Sequence, residues 1–82
     1  MIIKSPLITE KVTGMIDSTN TMEFLVNMKA TKPEIKKALE EQFDVEIVSV
    51  RTMITARGEK KAIVKLAKEN AANELATNLG LL

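Results

Sequence analysis

The sequence predicts an α+β fold with a largely antiparallel sheet, on three observations. Helical and period-two patterns follow one another in the order helix, strand, helix, strand, strand, helix. The two β-branched runs Val45–Ile54 and Lys61–Leu66 are joined by only Thr55 to Glu59, a short hairpin connection in which Gly58 is available for a positive φ. The helical segments are spread along the chain around that hairpin, the pattern of an α+β domain.

Ser5-Pro6 and Thr9 are both helix starts by composition, since Pro is tolerated in a first turn. Thr9–Ile16 is expected to be a short helix, and the polar quartet Asp17-Ser18-Thr19-Asn20 a turn. Ile2-Ile3 is a candidate edge strand. In Met22–Asn27, Met22, Phe24 and Val26 recur in period two, which predicts a strand. Thr31-Lys32-Pro33-Glu34 is a capping box, in which the Thr31 hydroxyl accepts from the Glu34 amide and the Glu34 carboxylate reaches back to the Thr31 amide. Behind it Ile35, Ala38, Leu39 and Phe43 form one apolar stripe of a helix. Lys36 with Glu40 and Lys37 with Glu41 stand at the spacing of ordinary helix ion pairs. In Lys61–Leu66, Ala62, Val64 and Leu66 share one face, leaving Lys61 and Lys65 on the other. Ala71, Ala72, Leu75, Ala76 and Leu79 make the stripe of a last helix, with Gly80 as its C-terminal cap.

At 82 residues the chain is expected to be one domain, residues 1–82. Phe24 and Phe43 are its only aromatic residues, so aliphatic side chains and the five Met must fill the core. Cysteine and histidine are both absent, which removes disulfides, thiolate and imidazole metal ligands, cysteine nucleophiles and histidine bases. Ser5, Ser18 and Ser49 therefore lack a histidine base, and no Gly-rich phosphate loop occurs. No enzyme, cofactor, metal site or small-molecule substrate is expected. Apolar runs fall far short of a membrane span and no signal-peptide region opens the sequence, so a cytoplasmic protein without membrane contact is expected.

Net charge is only +1, but it is segmental. Residues 1–50 carry six Lys against eight acids, while residues 51–68 carry Arg51, Arg57, Lys60, Lys61, Lys65 and Lys68 against Glu59 alone. On a hairpin such cations suit phosphate binding with release of counterions. They equally suit a solvated strand face that guards an edge against aggregation. Lys32, in a first helical turn, is placed unfavourably against the helix dipole, which hints at an external anion.

Four pieces in order carry a family resemblance: Pro6-Leu7-Ile8-Thr9-Glu10-Lys11; Asn20 before the first long strand; Ala30-Thr31-Lys32-Pro33-Glu34-Ile35-Lys36; and Lys60–Ala67 followed by Leu75. Over essentially its whole length the chain resembles the large-subunit ribosomal protein family numbered twenty-three. The link Thr55–Glu59 is similar to the shorter archaeal type, without the long basic loop of bacterial members. Arg51-Thr52 stands where the family usually shows Asn-Thr, and Arg51 is suited to a phosphate.

The resemblance implies a small sheet of about four strands packed with two to three helices. It implies a structural constituent of the large ribosomal subunit that binds large-subunit rRNA near the polypeptide exit tunnel. The partners implied are that rRNA, a neighbouring large-subunit ribosomal protein and, transiently, the signal recognition particle or nascent-chain chaperones. Lys11, Asn20, Lys32, Lys36, Arg51, Thr52, Arg57, Lys60, Lys61 and Lys65 are the expected RNA-binding residues, and Glu10 the expected factor-docking residue. The rival is a protein-interaction module or dimer without RNA binding, which suits a net charge near zero better but has no need of the basic segment 51–68.

Overall fold

A computed structural model describes all 82 residues. Its elements in chain order are β1 (Ile3–Leu7), α1 (Glu10–Thr19), β2 (Thr21–Val26), α2 (Lys32–Phe43), β3 (Ile47–Ile54), β4 (Lys60–Leu66) and α3 (Ala71–Asn78). The four strands form one antiparallel sheet in the order β1-β2-β4-β3, so the expected α+β class and sheet size both hold.

Strand alternation divides the sheet into two unlike faces. Ile3, Met22, Phe24, Val26, Ile47, Ala62, Val64 and Leu66 point to one side and are buried. They join Val12 and Ile16 of α1, Ile35 and Leu39 of α2, and Ala71, Ala72, Leu75 and Ala76 of α3 in a single cluster. Phe24 stacks on Phe43 with ring centroids 5.9 Å apart, so the two aromatic residues pin the end of α2 to the middle of the sheet. The opposite, outer face carries Thr21, Glu23 and Leu25 of β2, Lys61, Ile63 and Lys65 of β4, and Ser49, Arg51 and Met53 of β3.

Several local expectations are corrected. Ser5-Pro6 starts no helix: both residues lie in β1, which runs well past Ile3. β1 is an edge strand, where the missing amide of Pro6 is tolerated. The quartet 17–20 is not a turn, because α1 continues through Thr19. The Ser18 and Thr19 hydroxyls donate to the carbonyls of Gly14 and Met15, which lets these turn-favouring residues sit inside a helix. Asn20 alone reverses the chain, at φ 56°, with its amide donating to the Met15 carbonyl. β3 starts at Ile47 rather than Val45, and α3 ends at Asn78 with Leu79 exposed. Of the five Met, only Met22 is in the core.

The capping box of α2 is complete: the Thr31 hydroxyl accepts from the Glu34 amide, and the Thr31 amide donates to Glu34 Oε1 at 2.9 Å. The Lys36–Glu40 and Lys37–Glu41 pairs do not form. Glu40 Oε2 instead accepts from the Ile47 amide at 3.1 Å, tying α2 to the start of β3. The only ion pairs are Lys61–Glu23 and Lys68–Glu74.

Candidate nucleic-acid interface

The β2-β4-β3 ladder decides which cations share a surface. Lys65 lies between Thr21 and Ser49 across the ladder, and Arg51 lies opposite Ile63, so both are exposed on the outer face among neutral neighbours. Neither takes part in an ion pair. Lys61 stands on the same face, with its ammonium 3.1 Å from the buried Glu23 carboxylate. Arg57 and Lys11 flank this face from two other elements. They line one cleft with Glu23, Leu25 and Lys61, Arg57 coming from the β3–β4 turn and Lys11 from the first turn of α1. The turn owes its shape to Gly58, at φ 81°, and to the Gly58 amide donating to the Thr55 carbonyl at 2.9 Å. Met15 and Thr19, one and two turns beyond Lys11, line a second hollow with Arg51 and Lys65. Five cations from β3, β4, the turn between them and α1 thus meet on or beside one sheet face.

The remaining expected residues lie elsewhere. Lys60 opposes Val26 and Ile54, on the helix side of the sheet, and its ammonium donates to the Ala30 carbonyl at 2.7 Å. It ties the hairpin to the start of α2 and is not part of the Lys61–Lys65 face. Thr52 opposes Ala62 and points the same way as Lys60, so it and Arg51 face opposite sides of the sheet. Lys32 and Lys36 are exposed on α2, in the layer across the molecule from the outer face. Asn20 turns its side chain inward. Its amide donates to the carbonyls of Leu66 at 2.9 Å and Lys68 at 2.7 Å, and its side-chain oxygen accepts from the Ala72 amide at 2.8 Å. Glu10 is exposed at the first position of α1, after the Thr9 cap, and no side chain or amide pairs with it.

Glu23 is the site residue that sequence reasoning missed. Period two in β2 puts it opposite Met22 and Phe24, on the outer face, but its pairing with Lys61 needs the β2–β4 adjacency, a long-range fact. The outer face carries no metal-ligand cluster, and the chain has no group of three or more acids placed to hold a metal ion. No helix is long and apolar enough to cross a membrane.

A family model described as ribosomal protein L23 matches residues 1–74. The large ribosomal subunit protein uL23 of Methanococcus aeolicus is 45% identical over 80 residues, spanning 98% of this chain and 93% of its own length.

Proposed function

The chain belongs to the ribosomal protein L23 family, and from that premise we propose that the outer face of its sheet binds large-subunit rRNA near the polypeptide exit tunnel. As a family member it is a structural, non-enzymatic constituent of the large ribosomal subunit. The observation that carries the RNA reading is the pair Arg51 and Lys65, exposed on one sheet face with neutral cross-strand partners and no ion pair to either. Unpaired cations on a rigid surface release counterions on meeting phosphates and have no internal bond to break first. Lys61, Arg57 and Lys11 extend that surface. Lys32 and Lys36 offer further phosphate contacts on the helix side, the side to which Thr52 and Lys60 also point. Asn20 serves RNA binding indirectly, by holding the end of β4 against α1 and α3.

Two further surfaces suit protein partners. β3 is a free sheet edge with Val48 60% and Ile54 54% exposed, apolar surface that a neighbouring ribosomal protein would cover. Glu10, exposed and unpaired, is available for docking of the signal recognition particle or a nascent-chain chaperone.

The test of the RNA reading is the double variant Arg51→Glu, Lys65→Glu, assayed for binding to large-subunit rRNA over a salt series. Affinity is expected to fall steeply, and the slope of log K against log salt to shrink by about 0.7–0.9 for each cation that neutralised a phosphate. An unchanged affinity and slope would remove the outer face from the interface.

A further inference from the structure

The outer face holds one feature that phosphate binding does not use. Glu23 places an acid in the middle of a cationic surface, where it offsets the charge of Lys61. Its side chain is only 5% exposed, yet its one partner is the Lys61 ammonium, 3.1 Å from Oε1. No group other than Lys61 pairs with the Glu23 carboxylate, and Glu23 lines a cleft on this face. The cleft has a volume of about 380 Å³, at the small end of ligand-site sizes. Leu7 and Leu25 give the cleft apolar walls, while Arg57 and Lys11 put positive charge at its margin. A purely structural ion pair at this depth gives little that packed apolar side chains would not. A carboxylate and an ammonium side by side in an accessible cleft present an acceptor and a donor to an entering ligand.

Resting on the reading that this face meets rRNA, we propose that the cleft receives one unpaired guanine base of the RNA, read by Glu23 and Lys61. Guanine is the one standard base whose Watson–Crick edge offers two adjacent donors, N1–H and the N2 amino group, to the two oxygens of a carboxylate. Its O6, next to N1, is an acceptor for the Lys61 ammonium. Adenine and cytosine offer a single donor group beside a ring-nitrogen acceptor, and uracil a single N–H between two carbonyls, so each would set an acceptor against the Glu23 carboxylate. Unstacked bases in folded RNA are commonly held by hydrogen bonds to this edge and by stacking on aromatic rings or guanidinium planes. Phe24 is in the core and Phe43 is stacked on it, so the exposed Arg57 guanidinium is the planar group available here.

The test uses the full chain and four fluorescent RNA octamers of uridine that carry G, A, C or U at one central position. The guanine octamer is expected to bind roughly 5- to 100-fold more tightly than the other three, the discrimination of one bidentate base contact. Guanosine monophosphate, which lacks the flanking phosphates, is expected to compete far more weakly; competition equal to the octamer would overturn the assignment to RNA. Glu23→Gln is expected to erase the preference for guanine, and a preference that survives it would overturn the assignment of Glu23 as the reader. Equal binding of all four octamers by the unmodified chain, with its salt dependence intact, would overturn the guanine site and leave the rRNA interface standing. That comparison needs no variant to fold. Absence of salt-dependent binding to every octamer and to rRNA would overturn the interface and the guanine site together.

Discussion

Replacing Asn20 by Ala removes three side-chain hydrogen bonds at once and leaves a residue without a compensating side chain at φ 56°. Each bond contributes about 1 kcal/mol net and the left-handed backbone about 1 kcal/mol more for a residue with Cβ, so Asn20→Ala is expected to lose about 2–4 kcal/mol in urea unfolding. Asn20→Gly relieves the backbone alone and should recover about 1 kcal/mol of that loss. At Glu34 the carboxyl is held below its ordinary value of 4.5, first by the Thr31 amide, then by the Thr31 hydroxyl, with Lys60 adding attraction. Its folded pKa is depressed, so its contribution to stability is present above the unfolded pKa and is lost as the pH falls through the folded one. Thr31→Ala keeps the amide but deletes the hydroxyl. The Glu34 midpoint, followed by NMR, should therefore move part of the way up towards 4.5, and at neutral pH the helix should lose about 1 kcal/mol through its cap.

The elements differ in how much of them the sequence displayed. α2 was legible from end to end, because a capping box, a first-turn proline and an i, i+3, i+4, i+8 stripe all point to one helix. β1 was not, since Ser5-Pro6 reads locally as a helix start and only pairing with β2 holds it extended. The end of α1 was hidden for a similar reason: Ser18 and Thr19 favour turns until their hydroxyls bond back to the preceding carbonyls. In β4 the period-two pattern exposed Lys61 and Lys65 correctly, and counting back from Ala62 would have placed Lys60 on the helix side with it. Residue type drew it into the basic group instead. Lys60→Met separates the two roles. It is expected to leave the salt slope of rRNA binding at the outer face unchanged and to cost about 1 kcal/mol through the lost bond to the Ala30 carbonyl, measured by chemical denaturation. The pairing of Glu23 with Lys61 could not be reached from the sequence, because it depends on β2 lying beside β4 rather than beside β3.

Across the whole molecule, the proposed functions fall on separate surfaces: the outer face of the sheet, the free β3 edge and the exposed start of α1. Glu10 tests whether they are independent. Glu10→Lys is expected to leave incorporation into the large subunit normal and to slow the association of the signal recognition particle or a nascent-chain chaperone, with altered salt dependence, as for a charge at an interface rim. Recruitment kinetics identical to the unmodified subunit would remove Glu10 from the docking surface, and failed incorporation would make it structural. The Asn20 latch bears on how such a chain comes to be folded at all. Its side-chain bonds reach 46, 48 and 52 residues ahead, to Leu66, Lys68 and Ala72. A chain made from its N-terminus therefore has Asn20 in hand long before any of these three partners exists. α3, which has no side-chain cap of its own, receives that service from Asn20 once nearly the whole chain has been released. β4, the strand that sits between β2 and β3, is likewise among the last parts made. Until residues 66–72 are present, the Asn20 side chain has none of these three partners, and the start of α3 lacks the acceptor that its Ala72 amide uses.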